Sequence, residues 1–154
     1  MPGSSEILAF DWGTTIVGVL DVNLNIYSAY RHKNAMYDGA KRILFSTGTI
    51  VSFNGDRRDL IELAELLALP SEPTAICGHH DDMADIVSRI RWPPDRGTNP
   101  IFGKNLADTY RYYFGDALIP PPSHIQDEYE ADNWRDCHMT AELWKKWKRE
   151  ELAR

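Results

Sequence analysis

The chain has 154 residues, 43% hydrophobic and 26% charged, with 17 basic against 23 acidic side chains and a formal net charge of -6. One domain of this size buries roughly 70% of the surface of its extended chain, so neither a disulfide nor a structural metal is needed to hold it. No apolar run approaches the ~20 residues of a membrane span, nothing resembles a signal peptide, and the net negative charge argues against a nonspecific nucleic-acid coat; a single cytoplasmic domain over 1–154 with no membrane role is the expectation.

Taken in chain order, Ile7 to Asp11, Ile16 to Val22 and Leu24 to Tyr30 are short apolar or alternating stretches broken by Gly-Thr-Thr and Asp-Val-Asn, and predict three consecutive antiparallel strands. Tyr37 to Phe45 predicts a helix and Thr49 to Phe53 a fourth strand. Leu60, Leu63, Ala64 and Leu67 recur at i, i+3, i+4, i+7, an amphipathic helix that Pro70 ends. Thr74 to Gly78 predicts a fifth strand, and Asp81 and Asp82 open a helix that runs to Ile90, before Trp92-Pro93-Pro94. A loop over 93–102, a helix from Lys104 to Phe114, a Pro-rich segment from Asp116 to Glu128 and a last helix from about Ala131 to Glu151 complete the chain. The fold class is therefore α/β, a mixed five-stranded sheet covered by helices.

Three acids stand out. Asp11 ends the apolar run Ile7-Leu8-Ala9-Phe10, Asp59 follows the Asn54-Gly55 turn after the fourth strand, and Asp136 lies early in the last helix. Carboxylates from three distant segments suit a hard divalent cation, because Mg²⁺ takes oxygen ligands and phosphodiester cleavage uses a metal to offset developing charge. Asp132 stands four residues before Asp136 and shares its helix face, so it is a candidate replacement ligand or base for the attacking water. Each has a plainer reading: Asp11 as a strand-ending turn former, Asp59 as an early-helix acid, Asp132 as an N-cap or first-turn acid.

Other groups are weaker. His79-His80-Asp81-Asp82 has ligand-type side chains, but adjacent residues of a strand point to opposite faces, so a polar strand exit with a helix cap accounts for it. Trp134, Trp144 and Trp147 read as packing residues, and Lys145, Lys146, Lys148 and Arg149 as a solvated helix face. Cys77 and Cys137 read as free thiols. Arg57, Arg58, Arg89, Arg91, Arg96 and Lys104 could line a path for an anionic substrate.

The order of elements, with Asp11, Asn54-Gly55-x-x-x-Asp59 and Asp136, resembles the ribonuclease H-like superfamily, and within it the DEDD family of 3'-5' exonucleases. IVSFNGDRRDLIEL is similar to that family's second motif, NWRDCHMTAELWKKW to its third, and LADTYRYYFG to the helix between them. The resemblance implies two divalent metals, Mg²⁺ or Mn²⁺, held by Asp11, Asp59 and Asp136, with Asp11 bridging both. It implies attack by a metal-bound water on a terminal phosphodiester of DNA or RNA, with Thr14, Thr15, Asn54 and Gly55 near the substrate. Two positions depart from the family pattern: Gly13 stands where the first motif has Glu, and Asp132 and Ala131 stand where the third has Tyr or His. A catalytically inactive relative that binds nucleic acid or a protein partner therefore stays open beside the exonuclease. Asp11-Trp12-Gly13-Thr14-Thr15 alone is also similar to the first strand of RuvC-like nucleases and to the phosphate loop of actin-like sugar kinases, although the kinases need two such domains.

Overall fold

A computed structural model describes residues 6–13, 15–54, 59–68, 78–90, 95, 97, 99–101, 103–116 and 119–149. Five strands, β1 (Ile7–Gly13), β2 (Ile16–Asp21), β3 (Ile26–Tyr30), β4 (Thr49–Ser52) and β5 (His79–Asp82), form one sheet in the order β3-β2-β1-β4-β5. β1, β2 and β3 pair antiparallel, whereas β4 lies parallel to β1 and β5 parallel to β4. The helices are α1 (Lys33–Leu44), α2 (Leu60–Leu66), α3 (Met83–Ser88), α4 (Leu106–Phe114) and α5 (Glu128–Lys148).

Both faces of the sheet are covered, which is why the central strands read as nearly continuous apolar runs. Leu8, Phe10, Val17 and Val19 pack on one face against Met36, Ala40, Ile43 and Leu44 of α1 and Leu60, Leu63 and Ala64 of α2. The alternate residues Ala9, Leu20 and Val51 meet Met83 and Val87 of α3 and Cys137, Ala141 and Trp144 of α5 on the other. Asp11 and Gly13 follow Ala9 on the α5 face by the same alternation.

The mixed five-stranded sheet, its first three strands antiparallel, is as expected; the strand order is set by the tertiary structure. Several boundaries differ, three of them by enough to move candidate residues or elements. The fifth strand is His79–Asp82, beyond the expected Thr74 to Gly78, of which residues 74–77 lie outside those described. Parallel pairing with Thr49–Ser52 makes these polar residues a strand, and their buried carboxylates find partners: Asp81 accepts from Trp144 Nε1 at 2.8 Å and contacts His79 Nε2 at 2.8 Å. Asp81 therefore belongs to the strand, and Asp82 alone caps α3, accepting from the Ala84 amide at 3.1 Å.

The last helix starts at Glu128, three residues before expected, because Asp127 supplies the cap by accepting from the Glu130 amide at 3.1 Å. Asp132 consequently sits inside α5, past the first turn, and is not a capping acid. α1 likewise starts at Lys33 rather than Tyr37, with Met36, Gly39, Ala40, Ile43 and Leu44 buried at helical spacing.

Candidate functional site

Asp11 is carried by β1, at the centre of the sheet, and its cross-strand partner on β2 is Gly18. α5 crosses this face and brings Asp136 to the Asp11 carboxyl, with which it is hydrogen-bonded. Asp59 is the residue before α2 and is buried. It has helical backbone angles and makes no capping hydrogen bond, and its charge acts on Asp11. Asp11 and Asp136, 125 positions apart in the sequence, thus meet toward the end of β1, with Asp59 near enough for its charge to act on Asp11.

Burial and crowding set their proton affinities. Asp11 is pushed well above the usual carboxylate range, first by burial, then by the neighbouring charges of Asp136 and Asp59 and by its hydrogen bond to Asp136. Asp136 is pushed up to about 6, mainly by burial; the hydrogen bond from Asp11 and the Arg135 guanidinium pull it down, and Asp132 pushes it up. Both carboxyls therefore hold protons more tightly than free aspartates, Asp11 the more strongly, and they titrate as a coupled pair. A divalent cation would relieve the same repulsion, and the donor set is entirely hard oxygen, which suits Mg²⁺ or Mn²⁺. Among the described residues no three His, Cys, Asp or Glu side chains form a ready-made cage for an ion.

The other expected site residues lie as follows. Asp132 is 73% exposed and ion-paired with Arg135 at 3.1 Å. It influences Asp136 by charge, and no hydrogen bond to Asp11 or Asp136 is among its described contacts. Asn54 has left-handed backbone (φ 73°), and its amide donates to Asp82 at 2.6 Å, stitching the exit of β4 to the end of β5. Thr15 is exposed in the turn between β1 and β2. Thr14 and Gly55 lie outside the described residues, as do Cys77, Arg57, Arg58, Arg91 and Arg96.

His79 and His80 diverge as expected of strand neighbours: His79 faces Asp81, whereas His80 Nε2 lies 2.7 Å from Ser52 Oγ on the opposite side. Trp134 is buried and packs against His138 in a tilted arrangement, with ring centroids 4.0 Å apart. Trp144 is tied to Asp81, and Lys148 lies over the Trp144 and Trp147 rings. All three tryptophans are engaged within the fold. Arg89 is ion-paired with Asp85. Cys137 is a buried free thiol on α5.

A cleft of about 670 Å³ opens at the carboxyl ends of the parallel strands β4 and β5, lined by Phe53, Asn54, Asp82, Ser88, Lys104 and Asn105 among others. Its volume lies in the range of small-molecule pockets, and in open α/β sheets ligands bind outside the carboxyl ends of the strands. Extending the β1–β4 register by two residues sets Asp11 beside Phe53, so the cleft and the acid cluster share this end of the sheet.

Asn133, Tyr27 and Gly18 also belong to the site and carry no functional signal in the sequence. Asn133 is buried between Asp11 and Tyr27, and nothing in its residue type or spacing marks it. Trp12, on the face opposite Asp11, donates to Glu62 of α2 and so ties the end of β1 to the helix that Asp59 precedes. Comparison with models of protein families, with curated proteins and with solved structures returns no match.

Proposed function

We propose that this protein is a metal-dependent nuclease of ribonuclease H-like architecture, hydrolysing phosphodiester bonds of DNA or RNA from the 3' end. The observation that carries the reading is that Asp11 on a strand and Asp136 on a distant helix share a hydrogen bond in a half-buried setting, with the charge of Asp59, at a helix start, acting on Asp11. The strand order β3-β2-β1-β4-β5, with the first acid on the central strand, supports the architecture, and the sequence resemblance supports the direction of cleavage. Asp11, Asp59 and Asp136 would hold Mg²⁺ or Mn²⁺. The ion would supply charge compensation at the phosphate and lower the proton affinity of a bound water.

The chain's own groups do the rest. Phe53 offers an apolar surface to a base or sugar, Lys104 a cation to a phosphate, and Asn54 and Asn105 polar edges along the cleft. The test is incubation of labelled single- and double-stranded DNA and RNA with the protein in Mg²⁺ or Mn²⁺. Shortening from the 3' end is expected, with a loss of about a hundredfold or more in Asp11→Ala. Equal cleavage by wild type and Asp11→Ala would remove the reading.

A second reading, a nucleic-acid- or protein-binding module that does not cleave, is favoured by Gly13. This residue lies two positions beyond Asp11 on the same face of β1 and contributes no carboxylate. Under it, wild type and Asp11→Ala bind labelled strands equally and neither shortens them. Gly13 also provides a gain-of-function test. A Cβ built there meets Ile16 Cγ2 at 3.2 Å, a contact that a shift of a few tenths of an ångström relieves, and Gly13 is not among the residues with positive φ. Gly13→Glu is therefore expected to fold and to place a fourth carboxylate beside Asp11, raising the cleavage rate in Mg²⁺ about tenfold or more. An unchanged rate and unchanged Mg²⁺ affinity in a folded Gly13→Glu would show that the missing acid does not limit the site.

A further inference from the structure

Asn133 is 3% exposed and reaches back from α5 across the sheet. Its Nδ2 donates to the Asp11 main-chain carbonyl at 3.1 Å and lies 3.3 Å from Asp11 Oδ2. Its Oδ1 accepts from the Tyr27 hydroxyl at 2.7 Å, with the Cys137 thiol 3.9 Å away. Turning the amide over would set its oxygen against a carbonyl and a carboxyl oxygen, so the contacts admit one orientation. The space for it exists because Gly18, the cross-strand partner of Asp11, has no side chain: a Cβ there would fall 1.5 Å from Asn133 Oδ1.

We propose that Asn133 is the positioning residue for Asp11, clamping its carboxyl to its own backbone so that it meets Asp136 and an incoming cation in one rotamer. The role of the clamp in catalysis rests on the nuclease reading above; the clamp itself does not. A neutral amide suits this place. Lysine or arginine would also orient the carboxyl, but its charge would oppose a divalent cation, whereas an amide donates a hydrogen bond and adds no charge of its own to the acid pair. Tyr27 acts one step further out. Its hydroxyl holds the amide oxygen, so β3, β2, β1 and α5 each contribute one element of the arrangement.

Two measurements test the proposal. In the metal-free protein, side-chain couplings report the χ1 rotamer of Asp11 by NMR. A single rotamer is expected in wild type, averaging in Asn133→Ala, and a displaced rotamer in Asn133→Asp, which keeps the shape but replaces the donor by an acceptor. An Asp11 that stays in one undisturbed rotamer in folded Asn133→Ala overturns the clamp. Calorimetric titration with Mn²⁺ then reads its consequence: affinity falls about 10- to 100-fold in Asn133→Ala. Tyr27→Phe loses less, and adding it to Asn133→Ala costs nothing more, because its hydroxyl acts only through the amide. Wild-type Mn²⁺ affinity in folded Asn133→Ala also overturns the role. If wild type binds no Mn²⁺ and cleaves no strand, the nuclease reading fails, and the rotamer measurement still decides the clamp. If Asn133→Ala does not fold, Tyr27→Phe decides it: reduced Mn²⁺ affinity or a mobile Asp11 supports the clamp, and neither change overturns it.

Discussion

Asp136→Asn is expected to raise the stability of the protein at pH 7.5 and to lose most of that advantage as the pH falls toward 4.5. The cause is the direction of the shift: Asp136 moves from 3.8 to about 6 in the folded protein, chiefly because burial penalises its charged form. The folded state therefore binds this proton more tightly than the unfolded chain. The resulting stability is fully present below about 3.8 and is lost as the pH rises through about 6. A two-unit shift corresponds to about 3 kcal/mol, and because Asp136 keeps some contact with water, about 1–2 kcal/mol is expected.

Asparagine keeps the shape and a hydrogen-bonding group for Asp11 but never carries the charge. Urea unfolding at pH 7.5 and 4.5 checks this: wild type gains stability on acidification, and the variant responds with a shallower slope, the remainder coming from Asp11. Parallel slopes in the two proteins would refute the assignment. Under the proposed function the same substitution removes Mn²⁺-dependent cleavage, so one change increases stability and abolishes activity, as expected where like charges are crowded for a cation.

The second large effect is at Gly18. Alanine there would place its Cβ 1.5 Å from Asn133 Oδ1, 2.5 Å from Cγ and 2.9 Å from Nδ2. The strand pleat leaves no other direction for the methyl group, so the Asn133 side chain must leave, together with its bonds to Tyr27 and Asp11, or α5 must lift off the sheet. Overpacking plus buried polar groups left without partners amounts to about 4 kcal/mol. Removing the obstacle should recover the loss: Gly18→Ala with Asn133→Ala is expected to be no less stable than Asn133→Ala alone, a strong departure from additivity. Chemical denaturation of the three variants measures it. Gly13→Ala serves as the control, since the added Cβ meets only one side-chain carbon, Ile16 Cγ2, at the milder distance of 3.2 Å. A loss under about 1 kcal/mol in Gly18→Ala would mean that Asn133 does not sit over β2 as described.

Much of the framework can be read from side-chain periodicity. Ile7-Leu8-Ala9-Phe10 is apolar on both faces because β1 is central and covered on both sides. Leu60, Leu63 and Ala64 repeat at helical spacing because α2 buries one stripe. The acids at 11, 59 and 136 are conspicuous for the opposite reason: charged residues interrupt runs whose neighbours are buried.

His79-His80-Asp81-Asp82 carries no strand signal of its own, having neither apolar content nor β propensity. It is a strand because β4 offers a free edge, and because Trp144, the Asn54 amide and Ser52 satisfy its polar groups from elsewhere in the chain. Local pattern cannot carry that information, since the partners lie up to 63 residues away. Asp132 looks like an early-helix acid in the sequence because the true cap, Asp127, lies further back, among residues that read as irregular.

By itself, then, the sequence determined the α/β class, the succession of strands and helices, and which acids were out of place. These follow from local burial patterns, in which each residue's neighbours are a few positions away. The tertiary structure alone decided that Asp11 and Asp136 are hydrogen-bonded, that Asp132 faces solvent beside Arg135, and that Asn133 occupies the space above Gly18. Those relations depend on how α5 crosses the sheet, and packing between elements sets that crossing; no segment's own periodicity encodes it.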